Sequence, residues 1–547
     1  MELMQRSASY LFSFHVICPF VCGLLLLSRS PKPHSRTSNS LTIGVHLLLA
    51  TTSLCLLVLM LGRLVQTGEL APIRLDIPIS IPVSTPIFAP SPSSEPGDSL
   101  ELMDRLVWGV DLESVIFLCL LPWLSLSAEL FTAVEGRSLR RTAANLLLLG
   151  SLGLFVVGWD LGSLLCGGLV TILLMTLLVV QHGGEEKRTS ANVFLTVQIC
   201  GLLLLASSLG MFVASAGIVP SAPVDLPGKS STVLPDVAEK IQTAVTTHPA
   251  SAQLWGEYRL LPSGLMLCSL LLMAGGFPIQ VWLSEVSESA ALSERLWLVI
   301  WVKAVLFIGL RLLTALDPEA LQTFGWWGLM ISIPGALFVA SLILSQAYLP
   351  RIQSSGLAWT QQMALITACC APHSLNAWLV PLLICQTAGM VLFSIALTLI
   401  SERYQSVEIS SFQGLAQRSG WLLPVLIVCL LTLTLSPLSL GLMDSWLVSA
   451  TLQTSESNWG SLFRLIYLLA DLLALAGLAR VTQQLCTGPL RSPEMSPGLR
   501  ERAQLSPPTT SLSLSGMQLC LLTVWGVLAI VAALFLPMLR VFSSLPL

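Results

Sequence analysis

Apolar runs of about 20 residues, separated by short polar breaks, recur along the whole of this 547-residue chain. As a helix rising about 1.5 Å per residue, one such run crosses the hydrocarbon core of a bilayer. The runs fall at 10–28, 42–63, 109–130, 142–160, 163–181, 192–216, 258–279, 296–315, 324–346, 356–372, 377–400, 420–441, 460–480 and 516–538, predicting about fourteen spans. Met1 to Ser9 offers only Arg6 as a basic flank and no clean small-residue cleavage site follows, so the first run is read as a span. The expected fold class is an all-α, polytopic membrane protein.

Loop charge tests the count independently, because loops on the cytoplasmic side are enriched in Lys and Arg. Basic loops follow odd-numbered spans: Arg29, Lys32 and Arg36; Arg137, Arg140 and Arg141; Lys187 and Arg188; Arg480, Arg491, Arg500 and Arg502. Loops after even spans are mostly neutral or acidic, which predicts a cell (inner) membrane protein with both chain ends outside. The outer stretches Ala71 to Asp104 and Pro220 to His248 are rich in Pro and Ser and are predicted to be irregular. Cys486 to Ser513 has the same texture and reads as a linker.

Composition removes several function classes. Only 10% of residues are charged and the net charge is −3, without a basic cluster suited to nucleic acid. Thirteen cysteines and six histidines include no metal-ligand spacing, and most of the cysteines lie inside apolar runs as small packing residues. No phosphate-binding glycine loop, catalytic triad or iron–sulfur cysteine set is present. No catalytic residue, cofactor or metal is therefore assigned to this chain, and electron-carrying partners would have to supply any redox chemistry.

The informative residues are the charges inside the runs. Lys303 is the only charged residue from Leu296 to Leu310, at a depth that costs about 2.5 to 3.5 kcal/mol on insertion scales. Three readings stand: a relay for charge, a static buried pair, or snorkelling toward an interface. Asp444, near the outer end of span twelve, is either functional or a solvated helix-end aspartate. Asp471 sits mid-span with Arg464 two turns away, roughly 10 Å along the axis, so a partner on another helix is expected. Glu129 and Glu135, and Glu285, Glu288, Glu294 and Arg295, are read mostly as solvated loop charges, with Glu285 a possible helix N-cap.

Gly275-Gly276-Phe277-Pro278 breaks span seven, and the stretch around Pro437 breaks span twelve, five spans later. This fits two inverted five-helix repeats, spans 4–8 and 9–13. The break leads into Gln280-Val-Trp-Leu-Ser-Glu285, then Lys303, then Leu310-Arg311. Together with Val110-Asp-Leu-Glu, Gly158-Trp-Asp-Leu-Gly, Gln413-Gly-Leu-Ala and Leu435-Ser-Pro-Leu-Ser, in that order, it resembles the antiporter-like membrane subunits of respiratory complex I (NADH-quinone oxidoreductase) and of multisubunit cation/proton antiporters. The resemblance implies a division at 1–106, two helices and an outer loop, and 107–547, a proton-conducting membrane domain. It also implies partners: other membrane subunits of a hetero-oligomeric complex, the lipid bilayer, and protons or monovalent cations as cargo. The chain stops soon after span fourteen without a long lateral helix, so an internal or stand-alone position in such an assembly is expected.

The resembled family carries a glutamate on span five, lysines on spans seven, eight and eleven, and an ionisable group on span twelve. By matching motif positions, the span-five acid falls on Gly167 or Gly168, the span-seven lysine on Met273, and the span-eleven groups near Cys385 and Gly389. Lys303 and Asp444 keep a charge. The resemblance implies either a proton-conducting or coupling subunit, or a degenerate structural one.

Overall fold

A bilayer offers no hydrogen-bond partner to a peptide group, so a run that crosses it pairs its backbone internally, as a helix. The computed structural model describes residues 2–28, 36–67, 73–78, 105–131, 139–181, 185–218, 233–247, 255–256, 258–370, 375–404, 408–412, 414–415, 419–433, 458–487 and 514–543. A helix lies on each of the fourteen runs. The first half contains α1 (Glu2–Ser28), α2 (Arg36–Thr67), α3 (Leu112–Phe131), α4 (Leu139–Val157), α5 (Leu161–Gln181), α6 (Glu185–Ile218), α7 (Leu234–Thr247), α8 (Leu260–Ala274), α9 (Val281–Ser289) and α10 (Leu292–Leu316). The second contains α11 (Ala320–Ser345), α12 (Leu349–Cys370), α13 (Leu375–Tyr404), α14 (Leu422–Leu433), α15 (Asn458–Cys486) and α16 (Gly516–Ser543). Among the described residues nine of these helices are long and apolar enough to cross a membrane. α12 is not one of the nine, because Gln353, Ser354, Ser355, Thr360, Gln361, Gln362 and Thr367 dilute its hydropathy.

Packing repeats between the halves. α4 lies on α5, α5 on α6, α6 on α8 and α8 on α10; then α11 lies on α12, α12 on α13, α13 on α14 and α14 on α15. The offset is five spans, an odd number, so matched helices cross in opposite senses, as in an inverted repeat. α1 packs on α4 and α2 on α3, and α16 lies along α13. α10 and α13 pack on each other at the centre, nearly every residue of their spanning stretches buried.

Span seven is two helices. α8 ends at Ala274, Gly275 takes a left-handed φ of 68° that glycine adopts without strain, and helix resumes at Val281. Pro437 and Asp444 lie outside the described residues.

Two segments predicted to be irregular contain regular structure. Ile73–Pro78 (β1) pairs antiparallel with Arg105–Val110 (β2), Ile73 opposite Val110, a small addition to an otherwise helical fold. α7 lies within the second Pro/Ser-rich loop and buries Leu234, Val237, Ala238 and Ile241, one face of a helix by their spacing. Its start is tied down by Leu234 N–H donating to Trp159 O at 2.8 Å. Apolar residues at helical spacing outweighed the loop-like composition.

Candidate functional site

α10 presents two faces of different character. One turns Trp297 and Trp301, four residues apart, toward α4 and α6. The other turns Arg295 and Lys303, eight apart, toward α12 and α13.

On the second face Lys303, near the middle of α10, is 0% exposed. Its Nζ donates to Thr360 Oγ1 at 2.8 Å and to Gln386 Oε1 at 2.8 Å. Thr360 spends its own hydroxyl proton on Leu357 O at 2.8 Å, so its oxygen is the acceptor for the lysine. Among the described residues no carboxylate stands within ion-pair distance of Lys303. Wholly buried and held by two side chains deep in the bundle, Lys303 does not snorkel toward an interface.

Lys303 belongs to a ladder. Gln386, Ser394 and Thr398 are spaced in multiples of four along α13 and share one face over about 18 Å. Thr398 accepts from Arg295 Nη1 at 3.3 Å, Ser394 from Gln353 Nε2 at 2.7 Å, and Gln386 from Lys303. The ladder thus runs from the start of α10 to the middle of the bundle. None of Gln353, Thr360, Gln386, Ser394 and Thr398 was singled out from the sequence. The signal was present in their spacing, seven between Gln353 and Thr360 and four or eight on α13, inside otherwise apolar runs.

On the first face the matched relay positions are tightly packed. A Cβ on Gly167 would lie 2.7 Å from Phe155 N and 3.0 Å from Phe155 Cα, both backbone atoms of α4. A Cβ on Gly168 would meet the Phe155 ring and Leu202 at 3.2 Å. Phe155 in turn packs on Trp301, ring centroids 5.3 Å apart. Met273 is 0% exposed and fills the space over Gly201, where a Cβ would strike its Cγ at 2.3 Å. The polar groups here satisfy one another: Trp301 Nε1 donates to Gln198 Oε1 at 3.0 Å, and Gln198 Nε2 donates to Met273 O at 3.2 Å. In the second half Gly389 likewise abuts Thr432 of α14, and Cys385 lies buried near Thr432 O and Ala529 O.

Several charges read as solvated loop groups are buried instead, at the end of the bundle where α3, α4 and α10 meet. Arg141 Nη2 pairs with Glu294 Oε1 at 3.0 Å, and Arg141 also bonds Ser293. Glu129 accepts from Thr142 at 3.1 Å and from Asn145 Nδ2 at 2.6 Å, while Asn145 Oδ1 accepts from Trp297 Nε1 at 2.9 Å. Their sequence neighbours are polar, which hid the fact that three helices converge on them. Glu285 stands mid-helix on α9 and exposed, so it caps nothing, and Glu288 pairs with Arg351 at the surface. Glu135 lies outside the described residues.

Asn145 bridges a carboxylate and an indole, so Asn145→Leu leaves Glu129 Oε1 and Trp297 Nε1 without those bonds. Two stranded buried groups predict a loss of about 2 to 4 kcal/mol. Thermal or denaturant unfolding of the full chain checks it, and a loss below about 0.5 kcal/mol, the level of an ordinary surface change, is the contrary result.

At the opposite end Arg311 reaches Asp111 at 3.3 Å and Ser114 at 2.7 Å, beneath the ring of Trp159. Arg259 pairs with Asp317 at 3.3 Å, and Ser263 donates to Asp317 at 2.7 Å. Asp471 is buried on α15, which packs against α11 and α14, a different neighbourhood from that of Lys303. Among the described residues no group of His, Cys, Asp and Glu is arranged to hold a metal ion.

No family model and no curated protein matches the chain. Among solved structures it is similar to a chain of respiratory complex I from Thermus thermophilus, with TM-score 0.72 and 15% identity over 97% of this chain and 96% of that one. It is also similar to a chain of the membrane-bound sulfane sulfur reductase, an archaeal respiratory membrane complex, with TM-score 0.69 and 15% identity over 95% and 75%. At that identity the likeness establishes the fold. The protein is a multi-pass, all-α membrane protein with the fold of chains found in respiratory complex I and in an archaeal respiratory membrane complex, the architecture that its ordered motifs implied.

Proposed function

We propose that this chain is a membrane subunit of a proton-translocating NADH-quinone oxidoreductase-like or cation/proton antiporter-like complex, in which the seam of α10 with α12 and α13 handles charge and the helices before α10 are scaffold. The ladder from Arg295 to Lys303 carries the reading. It sets hydroxyl, amide and ammonium groups in sequence between the basic-loop end of the bundle and mid-membrane, where an apolar core has no other reason to hold them. In this reading a proton enters beside Arg295, passes along Thr398, Ser394 and Gln353 with intervening water, and is held at Lys303 Nζ. Asp471 and Asp444 are the candidate groups for the onward step.

The fold likeness to chains of two respiratory complexes supports partnership with other membrane subunits. Protons, or monovalent cations, are the cargo, and the cell membrane is the location, with both chain ends outside. The chain carries no proposed redox step of its own.

A second reading, a wholly structural subunit, draws on a specific observation: Gly167 and Met273 close the first half against any side chain that could relay a proton. The two readings share one expectation. Full-length chain extracted gently from its native membrane should co-purify with further polytopic subunits, and vesicles containing that assembly should move protons when its electron donor or ion gradient is supplied. Recovery as a lone chain overturns both readings; an assembly that leaves proton movement unchanged when this chain's Lys303 is removed favours the structural one.

A further inference from the structure

Two buried amides on the first face of α10 use both of their polar atoms. Gln198 employs both amide atoms, toward Trp301 and Met273, and Asn145 both of its own, toward Glu129 and Trp297. α12 breaks this habit. Gln361 and Gln362 are 0% exposed, and among the described residues neither the nitrogen nor the oxygen of either side chain has a hydrogen-bond partner. Exchanging nitrogen and oxygen repairs nothing, because both atoms of both residues lack a partner. Among the described residues three further amide oxygens share the condition: Gln353 Oε1 on α12, Gln280 Oε1 at the end of the span-seven break and, away from this region, Gln484 Oε1 on α15.

The placement is as informative as the orphaning. Gln361 and Gln362 directly follow Thr360, which holds Lys303. Successive helical residues diverge by about 100°, so the two amides leave α12 in different directions. A Cβ on Gly335 of α11 would lie 3.2 Å from Gln362 Oε1 and 2.5 Å from Phe277 Cβ. Gln362 therefore reaches the seam where α11 meets the broken segment of span seven. A helix break frees backbone groups that also need partners.

Buried polar groups are nearly always paired, and where protein supplies no partner an ordered water making two to four bonds does so. We propose that Gln361 and Gln362 form a binding site for a short file of ordered water between Lys303 and the break at Gly275–Pro278. This rests on the reading of Lys303 as a charge-handling group, and it gives that group a second contact. With Met273 at the motif position of the resembled family's span-seven lysine, the glutamines place the route on α12 instead of span seven. The cargo class is a proton carried on water. A bare monovalent cation fits less well, because the Lys303 amine lies next to the site.

The test uses the full-length chain with its co-purifying subunits. A density map fine enough to show ordered water is expected to place peaks within hydrogen-bond distance of the Gln361 and Gln362 amides. Gln361→Met with Gln362→Met, which keeps side-chain length, should remove those peaks, lower proton uptake several-fold and raise the melting temperature not at all. A dry site overturns the proposal and carries its own signature: the double variant then melts higher, since it removes unpaired polar atoms from an apolar setting. A peak that changes with sodium or potassium overturns it in favour of a cation, and uptake equal to wild type in the double variant removes the route. Failure of the underlying reading looks different, with the water peaks present and Lys303→Met leaving uptake unchanged.

Discussion

Lys303→Met is expected to lower proton uptake by the assembled complex at least about tenfold, equivalent to 1.4 kcal/mol or more on the barrier, while the chain itself becomes more stable. Both halves follow from the same geometry. Lys303 is wholly buried, held by two neutral oxygens, with no carboxylate at ion-pair distance among the described residues. Burying an ammonium without a counter-charge costs several kcal/mol even after relaxation. Methionine has similar length and no charge, and strands chiefly Gln386 Oε1, at about 1 to 3 kcal/mol, since Thr360 keeps its bond to Leu357. The first quantity exceeds the second, so a net gain of roughly 1 to 3 kcal/mol is expected, read as a higher melting temperature. A lysine kept for structure gives the opposite pair: a lower melting temperature and unchanged uptake.

Gly167→Ala should destabilise the chain by about 1 to 3 kcal/mol, and Gly167→Glu should prevent it from accumulating in folded form. The contact that forbids a Cβ is the backbone of α4 at Phe155, which cannot rotate aside as a side chain could. α5 and α4 would have to part, opening the packing of Phe155 on Trp301. An acid at Gly167, one of the two positions matching the resembled family's span-five glutamate, therefore cannot restore a relay in this chain. Thermal unfolding of the alanine variant and the folded yield of the glutamate variant decide the matter; a stable, well-expressed glutamate variant would falsify the claim that this half is closed.

Much of the architecture was legible because a bilayer imposes a single demand, an apolar run long enough to cross, and that demand is written residue by residue. Lys303 was legible for the same reason, as a charge in violation of it. Gly167 and Met273 were located by counting from motifs, yet only packing reveals that they seal the first half. Polar residues in apolar runs were underweighted: Gln353, Thr360 and Gln386 carry the site but bear no charge. Glu129, Glu294 and Arg295 were misread because polar neighbours in sequence say nothing about three helices closing over them. α7 and the β1–β2 ribbon lie in stretches whose Pro/Ser-rich composition masks the spacing of their few apolar residues.

The two faces of α10 have an electrical consequence. At the basic-loop end the described buried charges Glu129, Arg141, Glu294 and Arg295 sum to zero, so a voltage across the bilayer does little net work on them. In the proposed relay, a proton arriving at the neutral amine of Lys303 would add a unit of charge at roughly half depth, where about 1 kcal/mol is gained or lost per 100 mV. Membrane potential would therefore bias the filling of this one position, and a single buried amine would sense the energised state of the membrane.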